Sequence, residues 1–383
     1  MMDFSLSPEQ RAFQETVRRF GVEKLAPFYQ QRETDGIIAK SLRREMGELG
    51  MIGVELPEKF GGMGLDCVTA GIAIEEVAKA DFNVSYVQLL ASLLGAIMKQ
   101  HPDAEVGRRV ITDMCSGEIM VALGLTEPRG GSDAAHLILK ATKDGNGYIL
   151  NGEKTSISLA DQCDMVVLFA RTSGTDAKGV SAFLVPLNLP GVTTTRFNDL
   201  GSGAVGRGSI FFDDVKIGAD TLIGKEGEGF KLVMNGFDYS RALIGLQCLG
   251  AAAASLEETW KYVTERQAFG NPIAKYQGVT EPLAEAETLL TAARLLCYKT
   301  LWLRDQGEKH TAEAAMCKWW APKTAFDIIH NCIIINGHFA YSKDMPHQQR
   351  LRDVLGLQIG DGTPQIQKMI IAREKIGRVA VPY

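Results

Sequence analysis

The residues best suited to chemistry lie near the C-terminus, in the run Ile359-Gly360-Asp361-Gly362-Thr363-Pro364-Gln365. One carboxylate stands between two glycines, directly before Thr363-Pro364, a pair that opens a helix. Glycine on either side lets the backbone turn tightly and lets a ligand approach the main chain. A carboxylate on such a turn can face a cavity instead of bulk water, as a proton-abstracting base must. Taken alone, the segment is no more than a helix N-cap. It has company in Thr126-Glu127-Pro128-Arg129-Gly130-Gly131-Ser132-Asp133 and, further on, Arg266-Gln267-Ala268-Phe269-Gly270.

Other chemistries fall away on spacing. Gly201-Ser202-Gly203-Ala204-Val205-Gly206 fits the G-x-G-x-x-G string, but a dinucleotide site needs a strand before it and a helix after it. Here the apolar run Ile210-Phe211-Phe212 and the acidic pair Asp213-Asp214 follow, so the segment reads as a flexible loop in a β-region. The chain holds no P-loop and no G-x-S-x-G elbow. His330 and His338 are eight apart, the wrong spacing for two ligands on one helix face, and no metal is expected. Seven scattered cysteines without a C-x-x-C pair argue against structural zinc or a disulfide framework and for reduced thiols in a cytoplasm.

These residues need a large scaffold. A chain of 383 residues, 45% hydrophobic, can bury a sizeable core and should divide into two or three domains. A net charge of −5, with no basic run, argues against a nucleic-acid surface. The start lacks the basic and apolar regions of a signal peptide, and no apolar run is long enough to span a bilayer. Ser7-Pro8 followed by Gln10 predicts a capped helix start, and apolar residues at helical spacing continue through Ile72, Val77, Val84, Leu90, Leu94 and Ile97. After Gly117 short β-rich runs take over, punctuated by Asp144-Gly145, Asn151-Gly152 and Pro190-Gly191, which predicts an antiparallel sandwich or barrel. From about residue 226 the helical pattern returns, with further helices expected over 281–305, 311–335 and 364–377. The fold class is α+β: an N-terminal helical domain (1–116), a middle antiparallel β-domain (117–225) and a C-terminal helical bundle (226–383).

In their order and spacing, the three chemical segments resemble the acyl-CoA dehydrogenase family of flavoproteins, and the similarity runs the length of the chain. The resemblance implies a four-helix bundle at the C-terminus and an FAD held between that bundle and the β-domain, with an acyl-CoA thioester stacked against the flavin. Leu123, Leu125 and Thr126 match the strand that meets the flavin ring, and Ser132 matches a contact on the CoA side. Ser158 takes the place of a threonine near flavin N5. Ser156 stands where the family usually has an aromatic wall beside the ring. Asp238 and Arg241 match an Asp-x-x-Arg that meets the pantetheine, although an exposed i,i+3 ion pair explains them equally well. Arg266, Phe269 and Gln277 match the segment that reaches across a subunit boundary to the FAD pyrophosphate and adenosine, where the arginine fork suits phosphate oxygens. Gly337 survives in Ile334-Ile335-Asn336-Gly337-His338, which replaces the usual Gln-Ile-Leu-Gly-Gly and loses its Gln and second Gly, and Thr363 and Gln365 keep flavin-side contacts.

The family's catalytic glutamate is matched by Asp361, and its usual preceding aromatic by Gly360. Some members carry the base on the helix of Arg241, at the position held here by Ser240, which cannot serve. Aspartate draws the carboxylate back by about 1.5 Å, one carbon–carbon bond. Losing the aromatic opens volume beside the α-carbon. Together Gly360 and Asp361, with Gly362 also on the substrate side, point to an α-branched or alicyclic acyl group, of the cyclohexane-1-carboxyl-CoA kind, on the strength of the first two; drift in a straight-chain pocket is the bland alternative. Leu89, Leu90 and Leu93 are candidates for the acyl end, with core packing as their other role. The resemblance also implies an electron-transfer flavoprotein as acceptor and a homo-oligomer, with a tetramer favoured. A nitroalkane-oxidase-like flavoprotein with an aspartate base and a non-catalytic flavoprotein on the same scaffold are the competing readings.

Overall fold

The computed structural model describes residues 5–99 and 105–380. Six α-helices lead: α1 (Pro8–Phe20), α2 (Tyr29–Asp35), α3 (Lys40–Glu48), α4 (Cys67–Ala80), α5 (Tyr86–Met98) and α6 (Glu105–Cys115). The first starts as its sequence requires. Ser7 accepts from the Gln10 backbone, while the Gln10 side chain reaches back to the Ser7 N–H.

The β-region comprises β1 (Val121–Gly124), β2 (Lys140–Asp144), β3 (Gly147–Ser158), β4 (Met165–Arg171), β5 (Val180–Pro186), β6 (Val192–Arg196), β7 (Arg207–Gly218) and β8 (Leu222–Ile223). They form one eight-stranded sheet in the order β6-β7-β3-β2-β4-β5-β8, with β1 laid beside β4. Most pairs are antiparallel, but β1 and β2 each run parallel to β4. Leu150, Phe183, Ile210, Phe212 and Val215 close a core inside this region.

The C-terminal helices are α7 (Gly229–Glu265), α8 (Gln277–Asp305), α9 (Thr311–Asn336), α10 (His347–Ile359) and α11 (Pro364–Ile376); between α7 and α8 stands a hairpin of β9 (Gln267–Ala268) and β10 (Asn271–Pro272). At 37 residues, α7 runs about 55 Å and forms the spine on which α4, α5, α8 and α9 pack. Its small residues Ala251 to Ala254 are buried, and a Cβ on Gly250 would stand 2.5 Å from the Glu75 carbonyl oxygen, so α4 can cross at close range. One continuous apolar core joins the N-terminal helices to the C-terminal bundle. Among the described residues no helix is long and apolar enough to cross a membrane.

The three regions are tied together at Asp353 on α10, which is fully buried. It accepts from Tyr29 Oη of α2 at 2.6 Å, Asn83 Nδ2 at 2.9 Å and the Ser202 backbone N–H at 2.5 Å. This corrects the reading of residues 201–206 as a flexible loop. A Cβ on Gly201 would lie 2.5 Å from the Arg352 carbonyl carbon, and one on Gly203 would lie 3.0 Å from Glu33 Cγ. The glycines are there because two helices press on the loop, and Arg352 holds Leu200 O at 2.7 Å while pairing with Glu33.

Candidate active site

Asp361 lies in the turn between α10 and α11. Helix α10 ends at Ile359, with the Gly360 N–H donating to Gly356 O at 3.0 Å. The chain then reverses through two left-handed residues, Asp361 (φ 55°) and Gly362 (φ 96°). Aspartate tolerates this region better than most side chains, and Gly362 adopts it without strain. Pro364 starts α11, with Thr363 at the N-cap position, but the Thr363 hydroxyl makes no capping bond. The segment is a helix N-cap in its backbone, with the Gln367 N–H donating to Thr363 O at 3.0 Å, but the Thr363 hydroxyl is left for another partner.

The turn is braced from below. Gln367 Nε2 donates to Asp361 O at 3.0 Å and Gly362 O at 3.2 Å. Lys318 of α9, with no solvent exposure, donates to Leu357 O at 2.6 Å and Gly362 O at 3.3 Å. The carboxylate itself is lightly bonded. Its nearest donor is Ser240 Oγ of α7 at 3.5 Å, the outer limit of a hydrogen bond. Burial lifts its pKa above the usual carboxylate range, against the pull of the Lys318 and Arg241 charges. From α5, the Tyr86 phenol faces Ser202 and feels the charges of Asp361 and Asp353.

Beside Asp361, Arg241 is 5% exposed and pairs with Asp238 at 3.1 Å. Thr311 Oγ1 donates to the other Asp238 oxygen at 2.6 Å. This is a partly buried network and not the exposed ion pair that was the alternative. Arg241 Nε is buried without a partner. Asp238 also lines a cavity of about 270 Å³ with Ala96, Asn235, Arg304 and His310, whose Nε2 is likewise buried and unpaired. Asp361 lies outside that cavity. Leu89 and Leu93 are core residues, at 4% and 2% exposure, while Leu90 borders a small apolar hollow with Leu159 and Met120.

The second group of candidates sits on the β-region. Leu123 is in β1, and Leu125, Thr126 and Ser132 follow in the turn beyond it. A solvent-free ion pair holds that stretch against β3. Lys154 Nζ meets Glu127 at 2.7 Å and Leu125 O at 3.0 Å, and Glu127 also accepts the Ile138 and Leu139 N–H groups. Burial lowers the Lys154 pKa to about 8 despite its partner. The pairing of β3 with β7 slips between Lys154 and Ile157, and Ser156 in that bulge has φ 60°. Bulges of this kind re-aim side chains beside functional sites. Arg207 Nη1 donates to Ser156 Oγ at 3.2 Å while Nε and Nη2 bond to Asp199, and Arg207 and Tyr86 feel one another's charge. Ser158 is partly exposed at the strand end.

The third group points outward. Phe269 (φ 51°) and Gly270 (φ 76°) make the two-residue turn of the β9–β10 hairpin, a mirror-image turn that suits strand twist. Phe269 is 94% exposed, touched edge-on only by Tyr276 among ring contacts of the described residues. Arg266 and Gln277 flank it, both exposed, and Gly337 (φ 71°) ends α9 at the surface.

Uncommitted hydroxyls and an amide at Thr126, Ser158, Thr363 and Gln365 suit the alternating polar edge of a flavin ring, and an exposed Arg266 suits a pyrophosphate. The residues present fit FAD. Lys318, Arg207 and the Glu127–Lys154 pair were missed by sequence reasoning. Of these, Lys318 left a trace, as a charge on the apolar stripe Ala314, Ala321, Ala325.

Helices before and after a β-domain, with a carboxylate on a glycine turn and uncommitted polar groups on the β-region, are the frame of a flavin-binding α+β protein. The comparisons name the family. Models of the acyl-CoA dehydrogenase N-terminal, middle and C-terminal domains match residues 7–118, 122–215 and 227–376, so the chain belongs to the acyl-CoA dehydrogenase family and its cofactor is FAD. The mitochondrial short-chain specific acyl-CoA dehydrogenase of Mus musculus is 34% identical over 371 residues, covering 96% of this chain and 90% of that protein. The butyryl-CoA dehydrogenase structure of Megasphaera elsdenii superposes with TM-score 0.94 at 32% identity, over 98% of this chain and 100% of its own. A chain in the structure of the electron transferring flavoprotein of Acidaminococcus fermentans gives TM-score 0.95 at 31% identity, over 98% and 100%. The chain is an oxidoreductase that dehydrogenates acyl-CoA.

Proposed function

We propose that this enzyme oxidises the α,β-bond of an alicyclic or α-branched acyl-CoA, of the cyclohexane-1-carboxyl-CoA kind, with Asp361 as the base. The observation that carries the reading is the open space at Gly360. A Cβ built there meets nothing closer than Gly356 O at 3.7 Å and Leu357 Cδ2 at 3.9 Å. That room lies beside a carboxylate that is one methylene short, so a ring can both fit and bring its α-carbon to the base.

When bound, FAD supplies the acceptor for the β-hydride. The protein's part is placement. Asp361 takes the α-proton as the β-hydrogen leaves with its electron pair, and its backbone N–H faces the thioester carbonyl, where charge develops. Ser132, Asp238 and Arg241 hold the CoA arm, and the unpaired Arg241 Nε gives it a donor. Leu123, Leu125, Thr126, Ser156, Ser158, Thr363 and Gln365 frame the flavin. Arg266, Phe269, Gln277 and Gly337 serve the adenosine diphosphate end in an oligomer, with a tetramer favoured. We assign domains 1–116, 117–225 and 226–383, a cytoplasmic setting, and an electron-transfer flavoprotein as acceptor; the Acidaminococcus likeness supports that acceptor.

The test is kcat/KM for a cyclohexane-type and a hexanoyl-type thioester on wild type, Gly360→Tyr and Asp361→Glu. Wild type should favour the ring by about 10- to 100-fold, or about 1.4–2.7 kcal/mol of transition-state binding. Gly360→Tyr should hurt the cyclic substrate more, and Asp361→Glu should shift preference toward the linear one. Equal losses on both substrates would remove the alicyclic reading.

A further inference from the structure

Lys318 is a costly residue to keep where it is. It lies on α9 among buried Ala314, Ala315, Cys317, Ala321 and Ala325, with no solvent exposure. An ammonium buried without compensation costs several kcal/mol, so such a site persists only if the charge is used. Its two bonds show where. Leu357 O belongs to the last turn of α10, the end of a helix that favours a cation. Gly362 O belongs to the second residue of the reversal. The two contacts straddle Gly360 and Asp361.

We propose that Lys318 is the positioning residue of the base: it clamps the Asp361 turn from both sides and sets a buried ammonium beside the carboxylate. The proposal rests on the reading of Asp361 as base. The clamp fixes the reversal at Asp361 and Gly362, which would otherwise relax to whatever the two helix ends allow. Gln367 holds the same turn through Asp361 O, so the carboxylate projects from a segment secured at three carbonyls.

The electrostatic part follows from which groups face the carboxylate. Lys318 of α9 acts on it more strongly than Arg241 of α7; Ser240 of α7 offers the 3.5 Å contact, and Tyr86 of α5, which faces Ser202, feels its charge. Lys318 in turn faces Asp361, Cys248 and Arg241, and burial brings its pKa down to about 8, so it is charged at neutral pH. Burial pushes Asp361 toward its protonated, inactive form. Without the ammonium that push is less opposed, and the acid limb of the rate profile moves to higher pH.

The experiment is anaerobic flavin reduction by an acyl-CoA thioester from pH 5.5 to 9 on wild type, Lys318→Met, Lys318→Gln and Lys318→Arg holoenzymes. Infrared titration of the Asp361 carboxyl, with Asp361→Asn as blank, reads the base directly. Loss of the ammonium should slow reduction about 10- to 100-fold at pH 7, raise the acid limb and the carboxyl titration together by about one unit, and leave FAD content unchanged. Partial recovery at pH 9 is expected, and Lys318→Arg should restore the acid limb. Met and Gln fill the slot differently, so the result does not hang on one variant folding. Wild-type rate and titration in either neutral variant overturn the proposal, as does a loss of rate with no pH shift, which would mark Lys318 as structural only. If Asp361→Asn still reduces at the wild-type rate, the base assignment fails instead, and the two failures are distinct.

Discussion

Asp353 and Asp361 stand eight residues apart, on and just beyond the same helix, and burial raises the pKa of both. Their surroundings differ in what is left over. Asp353 accepts from a phenol, an amide and a backbone N–H, one bond reaching each neighbouring segment it joins. Asp361 has one contact at 3.5 Å and two cations that act on it without saturating it. A carboxylate whose lone pairs are filled is a strut; one held in place through its backbone, with its oxygens open, can accept a proton from a substrate. The two also differ in burial, Asp353 being fully enclosed and Asp361 only partly so.

Removing the carboxylate from each site should therefore break different things. The largest effect is on chemistry: Asp361→Asn should slow flavin reduction by about 10²- to 10⁴-fold or more, with FAD and thioester binding retained. Because burial penalises the charged form of Asp361, that variant should be at least as stable as wild type in urea unfolding. The corresponding loss at the strut is in stability. Asp353→Ala strands three buried donors, and Tyr29→Phe removes only one; the latter should cost about 1–3 kcal/mol and the former more, read as shifts in urea midpoint. Reduction by the surviving folded Tyr29→Phe protein should stay near wild type. A large loss of rate there would mean the two carboxylates are not functionally separate.

A further effect at the strut concerns pH. Burial raises Asp353 from the usual 3.8 to about 7 in the folded chain. Its folded value exceeds its unfolded one, so its ionisation penalises folding: the penalty is absent below about pH 4, grows between pH 4 and 7, and is complete above 7. Stability of wild type minus that of Asp353→Asn should fall with pH across that window. A flat difference would mean the three donors outweigh burial.

Much of the scaffold was legible because it is written in local pattern. The Ser7–Gln10 cap closes as its spacing requires, and the stretches 281–305 and 311–335 fall within α8 and α9. The residues at Asp361 could be found because glycines and a helix start announce a turn. What stayed hidden depends on partners distant in sequence. Gly201 and Gly203 look like a phosphate loop or a flexible one until Arg352 and Glu33 are seen pressing on them. Asp353 sits in an ordinary helical run, and its role exists only because Tyr29 lies 324 residues away. Lys318 breaks an apolar stripe, a visible anomaly, but the carbonyls it serves belong to another helix. Ser156 could be seen to lack an aromatic, whereas the bulge around it and Arg207 beside it follow from strand register.

The central claim is that Asp361 removes the α-proton, and proton removal can be watched without hydride transfer. A thioester with α-hydrogens and no β-hydrogen, such as phenylacetyl-CoA, should exchange its α-hydrogens for deuterium when incubated with the holoenzyme in D2O, followed by NMR or mass. The account predicts exchange with wild type, and with Asp361→Asn exchange no faster than in buffer. Undiminished exchange in Asp361→Asn would contradict it.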